Sequence, residues 1–241
     1  SDNVKNYLEE FRILTDSISD FLFLTSEDAL DNLAKEGISE DKSFLVGNTM
    51  IDSLVEFESK FDLSNILHKL KLKKSMYSLI TLHRPSNVDN KSDLKFMMDS
   101  IVKVSKNIKC VFPVHPRTKN NLQKFNLYNK YNSLDNLEII NPLGYIDFMC
   151  LQKNSKFIIT DSGGIQEESS YFKVPCLTSR DNTERPITIS NGTNKLIGAN
   201  YKNIVKETLN INYDITSNIN LWDGFSSDRI IKILERVLRV I

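Results

Sequence analysis

Residues 157–172 combine an apolar run, a glycine turn and a polar segment that together have the chemistry of a phosphate site. Residues 157–160 are apolar or β-branched and predict a buried strand, and the sequence "DSGG" then breaks the run before a segment with helical spacing. Gly163 and Gly164 let backbone N–H groups come close to a ligand, and the start of the next helix adds a partial positive charge that suits phosphate. Ser162 adds a hydroxyl donor at the same turn.

Two carboxylates follow this turn within the predicted helix. Glu167 or Glu168 can accept hydrogen bonds from ribose hydroxyls, as acidic side chains do in other nucleotide sites. A purely structural interpretation is equally open: Asp161 or Ser162 caps the helix, and the two glutamates complement its dipole. A Ser-Gly-Gly turn is a weak motif, so the residues alone do not decide between a nucleotide site and an ordinary helix start.

Two more predicted strands end in a histidine followed closely by an arginine. His83 and Arg84 follow one apolar run directly, and His115 and Arg117 follow another. A histidine there can act as acid, base or hydrogen-bond donor, and an arginine can hold phosphate. Each pair alone also fits a surface histidine beside a proline turn, but in a parallel sheet both strand ends lie at the same edge. His68 has no such context, and we expect it on a helix surface.

A fourth polar loop, "SRDNTERP" at 179–186, follows a short predicted strand. It contains two arginines, an aspartate and a glutamate. One interpretation is a solvated loop with local ion pairs, which contribute little to stability. The other interpretation places the loop at the same edge as the Ser-Gly-Gly turn, in contact with a diphosphate or a sugar.

The elements that must position these loops alternate between strands and helices. Predicted strands lie at 20–25, 43–47, 77–82, 108–114, 137–141, 157–160, 175–179 and 195–198. Helices are predicted at 3–17, 26–37, 49–59, 91–106, 117–132, 145–153 and 164–172, together with a Lys-rich one at 63–73 and a final amphipathic one at 226–241. Strands separated by helices favour parallel pairing with right-handed crossovers. We therefore predict an α/β fold with a doubly wound parallel sheet, in which ligands lie at the carboxyl ends of the strands.

The composition favours a small-molecule function over nucleic-acid or membrane binding. The 241 residues carry 31 basic and 31 acidic side chains, so no overall charge attracts nucleic acid or an acidic membrane. The longest apolar runs are strand-length and the first residues are polar and acidic, so we expect neither a signal peptide nor a membrane span. Cys110, Cys150 and Cys176 lie far apart without metal-ligand spacing, which predicts no disulfide, no metal site and a cytoplasmic location.

Eight segments, in this order and spacing, resemble the non-hydrolysing UDP-N-acetylglucosamine 2-epimerases. They are "GNTMIDSL", "TLHRPSNVDN", "FPVHPRT", "PLGYIDF", "TDSGGIQEES", "RDNTERP", "GTNKLIGAN" and "WDGFSSDRI". The resemblance covers essentially the whole chain, and the block at 159–198 is specific to that family. It implies Rossmann-like domains of the glycosyltransferase-B type with a nucleotide sugar in the cleft between them. The implied reaction interconverts UDP-N-acetylglucosamine and UDP-N-acetylmannosamine, by elimination of UDP to a glycal intermediate and re-addition to the other face.

The resemblance also implies roles for individual residues. His83 would be catalytic, acting at the leaving phosphate or the sugar. The residues implied to bind UDP or substrate are Ser162, Gly163 and Gly164 at the diphosphate, Glu168 at the ribose, Arg84 and His115 at the substrate or at a second, activating UDP-N-acetylglucosamine, and Arg185 in the same cleft. The implied ligands are UDP-N-acetylglucosamine and UDP, without a metal or redox cofactor, and the implied assembly is a homodimer.

The chain departs from the family pattern in ways that bear on catalysis. By the resemblance, residues 1–47 are the end of a first Rossmann-like domain that is mostly absent, and 48–241 form the UDP-binding domain, with the last helix packing back toward the first domain. Only Glu9, beside Arg12, can stand in for a family glutamate that acts on the sugar. Pro85 and Ser86 stand where the family has an Arg-Glu pair after the His-Arg pair. We therefore expect the nucleotide half of a site, and no activity from the isolated chain.

Two other functions remain open from the sequence. One is a non-catalytic module that binds a nucleotide sugar. The other is a hydrolysing epimerase or a glycosyltransferase of the same architecture, because the fold does not fix the reaction. The reaction product distinguishes a hydrolysing enzyme from an epimerase, since hydrolysis releases free N-acetylmannosamine and epimerisation keeps UDP attached.

Overall fold

A computed structural model describes residues 2–198, 202–214 and 216–238 of the chain. The chain divides into two compact units, one formed by Ser1–Glu56 with Ile219–Ile241 and the other by Phe57–Asn218. All four polar loops that follow predicted strands lie in the second unit.

The first unit contains a two-stranded parallel sheet and four helical segments. Strands β1 (Leu22–Leu24) and β2 (Ser43–Leu45) pair with Leu22 opposite Ser43 and Leu24 opposite Leu45. The helical segments are α1 (Asp2–Ile18), α2 (Asp28–Lys35), the first part of α3 (Thr49–Asp62) and α13 (Ser226–Leu238), and a 3-10 turn spans Glu40–Lys42.

Two features fix the start of α13 within the first unit. The Asp52 carboxylate on α3 accepts hydrogen bonds from the backbone N–H groups of Ser226 (3.0 Å) and Ser227 (2.6 Å), so it caps α13 from another helix. Gly47 has a φ of +92°, and a side chain there would collide with the Leu221 carbonyl oxygen. Only glycine fits this close approach without strain.

The second unit is built on a six-stranded parallel sheet with the strand order β5-β4-β3-β6-β7-β8. The strands are β3 (Tyr77–Thr81), β4 (Lys109–Pro113), β5 (Leu137–Ile140), β6 (Phe157–Thr160), β7 (Cys176–Thr178) and β8 (Asn194–Leu196). Every residue of β3 and β6 is buried. Burial on both faces explains why these two strands are nearly continuous apolar or β-branched runs in the sequence.

Helices cover both faces of the six-stranded sheet. They are α4 (Ile66–Lys69), α5 (Pro85–Val88), α6 (Lys91–Ser105), α7 (Pro116–Lys124), α8 (Tyr128–Asn132), α9 (Tyr145–Lys153), α10 (Gly163–Tyr171), α11 (Ile187–Ser190) and α12 (Lys202–Leu209), together with the end of α3. On one face, Ile80 and Ile159 belong to the same apolar cluster as Met97 of α6. On the other face, Tyr77 donates its hydroxyl to the carbonyl oxygen of Leu151 on α9 (2.6 Å).

The order of the strands reverses next to β3. The chain adds β4 and then β5 on one side of β3, returns to place β6 on the other side, and continues outward to β7 and β8. Strands β3 and β6 are therefore neighbours, with Ser78 opposite Phe157 and Thr81 opposite Thr160. A reversal of this kind opens a crevice at the carboxyl ends of the two strands, where doubly wound folds bind ligands.

The doubly wound parallel α/β sheet predicted from the sequence is confirmed, and the predicted positions of its strands agree to within two residues at each end. The prediction of a Lys-rich helix at 63–73 is wrong, because only Ile66–Lys69 is helical. Lys71 adopts a left-handed φ angle of 50°, which an α-helix cannot accommodate. Helices α5, α11 and α12 were not among the predicted elements.

Two predicted segments extend beyond the described residues. The final helix, predicted over 226–241, is helical over Ser226–Leu238, and 239–241 lie outside the described residues, as do the last two positions of "GTNKLIGAN". Within the described ranges, no helix combines the length and apolar character needed to cross a membrane. All three cysteines are buried with free thiols.

Candidate functional site

The carboxyl ends of the central strands surround a pocket of about 180 Å³. Its walls come from the ends of β3 and β4, the loop after β5, α9 and the turn after β6. The residues that line it are Thr81, Leu82, His83, Pro113, His115, Pro142, Leu143, Phe148, Ser162 and Ile165. Two histidines and a serine hydroxyl thus face a mostly apolar cavity, an arrangement typical of small-molecule sites.

Asp161 connects the loop after β3 to the turn after β6. Its side chain is completely buried, and its carboxylate accepts hydrogen bonds from the backbone N–H groups of His83 (3.0 Å) and Arg84 (2.9 Å) and from the side-chain amide of Asn87 (3.0 Å). Burial opposes the charge, but the hydrogen bonds from His83, Asn87 and Arg84 outweigh it and lower the pKa of Asp161. Asp161 is therefore a buried carboxylate that holds two strand-end loops together.

Two threonines set the geometry of the glycine turn. The hydroxyls of Thr81 and Thr160, on neighbouring strands, lie 2.6 Å apart, and Thr160 Oγ1 also accepts a hydrogen bond from the Ser162 backbone N–H (3.0 Å). Ser162 is the N-cap residue of α10, but its hydroxyl makes no capping hydrogen bond. Because Asp161 bonds the β3 loop instead, neither side chain offered by the structural interpretation caps α10.

The two strand-end histidines are neighbours. The ring centroids of His83 and His115 lie 5.3 Å apart, and His83 Nδ1 lies 3.1 Å from Asp161 Oδ1. His115 Nδ1 accepts a hydrogen bond from the Arg117 backbone N–H (3.2 Å), so a neutral His115 carries its proton on Nε2. Burial, together with the charges of His83 and Arg117, lowers the pKa of His115. The expectation that both strand ends lie at one edge of the sheet is confirmed.

Arg185 lies against the glycine turn. Its Nε is 3.0 Å from Glu167 Oε1, and its Nη1 would be 2.9 Å from the Cβ of any side chain at Gly163. In the same loop, Arg180 pairs with Glu184 (2.8 Å) and lowers the pKa of Glu184 to about 2. The loop at 179–186 therefore has the local ion pairs of the structural interpretation and also places one guanidinium beside the turn.

Glu168 is buried on α10, with only 9% of its surface exposed. Burial raises the pKa of Glu168 to about 7, the nearby Gln152 amide opposes this increase, and the Glu167 carboxylate adds to it. Glu168 Oε2 has no hydrogen-bond partner among the residues that the structure describes. A carboxyl group in this state exchanges its proton near neutral pH and has an oxygen available to a hydroxyl donor.

Two buried amides support the site, and neither was predicted from the sequence. Asn87 donates to Asp161 and also to the Ser179 carbonyl oxygen (3.2 Å), which links three strand-end loops. Gln166 donates to the Ser162 carbonyl oxygen (3.2 Å) and accepts from the Thr183 hydroxyl (2.6 Å). Their positions in the sequence could have identified them, since Asn87 closely follows the His-Arg pair and Gln166 follows the glycine pair.

Residues 1–235 match the sequence model of the family described as UDP-N-acetylglucosamine 2-epimerase. The chain belongs to this family. The UDP-N-acetylglucosamine 2-epimerase of Methanocaldococcus jannaschii is 41% identical over 238 residues, which are 95% of this chain and 65% of that protein. That of Neisseria meningitidis is 34% identical over 209 residues, 82% of this chain and 54% of that protein. The chain thus spans less than two thirds of the length of these relatives.

Solved structures of epimerases in this family share the fold. The crystal structure of the Methanocaldococcus jannaschii UDP-GlcNAc 2-epimerase in complex with UDP-GlcNAc and UDP matches with a TM-score of 0.82 at 41% identity, over 93% of this chain and 63% of that one. The epimerase from Neisseria meningitidis bound to UDP-GlcNAc matches with a TM-score of 0.80 at 30% identity, over 92% and 63%. The family and fold class predicted from the sequence are confirmed.

This member of the UDP-N-acetylglucosamine 2-epimerase family brings most of the predicted site residues to one edge of its sheet. His83, His115 and Ser162 line the same pocket. The Arg185 guanidinium occupies the space where a Gly163 side chain would lie, and Gly164 and Glu168 follow on α10. Arg84 is held beside them, since its Nε donates to the Asp161 carbonyl oxygen (3.0 Å). Exposed His68, on α4, lies on a helix surface as expected.

Glu9 lies apart from this group in the chain, on α1 of the first unit. Its carboxylate accepts a hydrogen bond from Arg12 (2.7 Å), and 61% of its side chain is exposed. The hydrogen bond from Arg12 lowers the pKa of Glu9 and makes it a weak base. A catalytic role for Glu9 stays a prediction.

Proposed function

We propose that this chain supplies the UDP-binding half of a UDP-N-acetylglucosamine 2-epimerase. The reaction converts UDP-N-acetylglucosamine to UDP-N-acetylmannosamine by elimination of UDP and its re-addition to the other face of the sugar. One observation carries the proposal: the buried Asp161 holds the His83-Arg84 loop against the Ser-Gly-Gly turn where the strand order reverses. A relative of the same family, 41% identical, has been solved with UDP-GlcNAc and UDP bound.

The diphosphate is assigned to the start of α10. The first N–H groups of a helix lack partners within the helix, and Gly163 and Gly164 bring no side chain between them and a ligand. The Ser162 hydroxyl, which caps nothing, adds a donor, and the Arg185 guanidinium beside Gly163 adds positive charge.

His83 is assigned to the leaving phosphate or the sugar, because it faces the pocket and follows the strand next to the turn. An imidazole there can donate a hydrogen bond to the phosphate oxygen as the bond to the sugar breaks. Arg84 and His115, beside it, are assigned to the substrate or to a second UDP-N-acetylglucosamine.

Glu168 is assigned to the ribose. Its buried carboxyl group has an oxygen without a partner among the described residues, which suits the hydroxyls of a ribose. No metal is required by these assignments, and no group of three or more His, Cys, Asp or Glu side chains in the described part of the chain could hold one.

Catalysis by the whole enzyme is proposed for a protein that contains this chain rather than for the 241 residues alone. The chain covers 65% of the Methanocaldococcus jannaschii relative, and groups that act on the sugar are assigned to the remainder, with Glu9 as the one candidate here. We propose residues 1–47 as the end of a first Rossmann-like domain and 48–241 as the UDP-binding domain. A homodimer and a cytoplasmic location, where free buried cysteines stay reduced, complete the proposal.

A calorimetric titration of the 241-residue chain with UDP tests the proposal. We expect saturable binding that Ser162→Ala and Glu168→Gln each weaken by about 1–3 kcal/mol. Ser133→Ala and Glu138→Gln are matched controls away from the turn, and both should bind UDP like the wild type. Absence of binding, or equal affinity in all four variants, contradicts the assignment.

The reaction itself is tested with a longer protein that contains this chain. NMR spectra of the products distinguish the two chemistries. UDP-N-acetylmannosamine supports the epimerase, whereas free N-acetylmannosamine and UDP show that the protein hydrolyses the nucleotide sugar.

A further inference from the structure

The His83 ring lies against a buried carboxylate. Its Nδ1 lies 3.1 Å from Asp161 Oδ1, and 39% of the His83 side chain is exposed while Asp161 is completely buried. A carboxylate only accepts hydrogen bonds, so the imidazole nitrogen facing it must carry a proton. In a neutral His83 that proton leaves Nε2 as the acceptor.

Asn87 fixes the carboxylate itself. Its Nδ2 lies between two acceptors, Asp161 Oδ2 (3.0 Å) and the Ser179 carbonyl oxygen (3.2 Å), which sets the orientation of the amide. The Asn87 side chain is fully buried, and its Oδ1 has no hydrogen-bond partner among the described residues. A buried oxygen without a hydrogen-bond partner destabilises the fold relative to an apolar side chain of the same size, so packing alone does not explain Asn87.

We infer that Asn87 and Asp161 are positioning residues that hold the His83 imidazole with Nδ1–H against Asp161 and leave Nε2 as the atom that meets the ligand. Asp161 acts on His83 directly, and Asn87 acts by fixing the Asp161 carboxylate from the other side. The inference rests on the proposed function for its consequence, since Nε2 would then face the leaving phosphate or the sugar. The lowered pKa of Asp161 agrees with a carboxylate that stays charged in this position.

The same hydrogen bonds reduce the repulsion between the Asp161 carboxylate and a diphosphate bound at the neighbouring glycine turn. The Asp161 carboxylate is surrounded by the N–H groups of His83, Arg84 and Asn87, which compensate its charge locally. Asn87→Asp keeps the shape of the side chain but replaces a donor by a second carboxylate next to Asp161. That substitution should release His83 and repel the diphosphate.

Nitrogen NMR on the 241-residue chain tests the inference, because the chain contains only three histidines and each is assigned by its own substitution. With 15N-labelled histidine, we expect His83 of the wild type to be protonated on Nδ1 when neutral. Asp161→Asn and Asn87→Asp should both make the Nε2–H form predominant. The exposed His68 reports on the fold and should be unchanged.

Asn90→Asp is the matched control. It makes the same chemical change three positions along the chain, where Asn90 caps α6 by accepting from the backbone N–H (2.9 Å) and the hydroxyl (2.8 Å) of Ser92. Aspartate caps a helix as well as asparagine does. Its His83 tautomer and its UDP affinity should match the wild type, whereas Asn87→Asp should weaken UDP binding about tenfold or more.

Once the histidine signals are assigned, the wild-type tautomer is measured without the Asn87→Asp variant, so the test does not depend on whether that variant folds. A wild-type His83 protonated on Nε2 overturns the inference, and so does an Asn87→Asp variant with an unchanged tautomer and affinity. A wild-type chain that shows the Nδ1–H form but binds no UDP supports the positioning role and contradicts the proposed function.

Discussion

The Arg185 guanidinium occupies the space beside Gly163 that a side chain would need. The Nη1 atom would be 2.9 Å from a Cβ at Gly163, and Arg185 Nε is 3.0 Å from Glu167 Oε1. The absence of a side chain at Gly163 therefore sets the position of a charged group in the neighbouring loop. A substitution at Gly163 should therefore change ligand binding through Arg185 without destabilising α10.

Gly163→Ala should weaken UDP binding about tenfold without loss of stability, because the new methyl group displaces Arg185 while alanine favours a helix more than glycine does. Calorimetry with UDP and thermal unfolding measure the two effects. If the methyl group acts through Arg185, the losses of affinity in Gly163→Ala and Arg185→Ala will not add in the double variant. Strictly additive losses would show that Arg185 is not involved.

Glu168→Gln should stabilise the protein at high pH. The pKa of Glu168 rises from 4.5 to about 7 on folding. Between these pH values the folded protein binds more protons than the unfolded chain, so the free energy of unfolding falls as the pH rises. Above about pH 7 the full cost is present, on the order of 3 kcal/mol at most. Urea unfolding at pH 8 should show the gain, and at pH 4.5 the gain should be small. Glu167→Gln, which loses the ion pair with Arg185, should give no such gain.

UDP binding should weaken as pH falls through 7, because ribose hydroxyls bind best to the ionised form of Glu168. Burial places the pKa of this carboxyl group at about 7, so binding at that pH should expel a proton from it. Calorimetry in two buffers with different ionisation enthalpies counts the protons released. Glu168→Gln is the control for protons that come from the UDP phosphate, and an equal count in both proteins would remove Glu168 from the ribose site.

Asp52→Ala should destabilise the first unit by about 1–2 kcal/mol, the usual cost of a lost helix cap. Asp52 accepts from the N–H groups of Ser226 (3.0 Å) and Ser227 (2.6 Å), and these bonds outweigh burial to lower its pKa. Its contribution is thus present above its unfolded pKa and disappears as pH falls through the lower folded value. Urea unfolding at pH 7 measures the loss, and Ser53→Ala, at the exposed neighbouring position, should leave stability unchanged.

Much of the second unit could be predicted from the sequence because its strands are buried on both faces. Strands such as β3 and β6 are nearly continuous apolar or β-branched runs, which few other elements produce at that length. The prediction of a Lys-rich helix at 63–73 failed because the apolar residues there have helical spacing, whereas the backbone adopts a left-handed conformation at Lys71. Local spacing reports on the preferred face of a segment, and the packing of its neighbours decides where the segment ends.

The sequence by itself determined the alternation of strands and helices, the family, and the residue types at each strand end. It could not decide whether Asp161 caps its own helix or bonds another loop, since both choices use the same residue. Only the tertiary structure placed β6 beside β3, which brought the Asp161 carboxylate within 3.0 Å of the His83 and Asn87 donors. The physical reason is that a buried carboxylate needs several donors, and these came from residues more than seventy positions away in the chain.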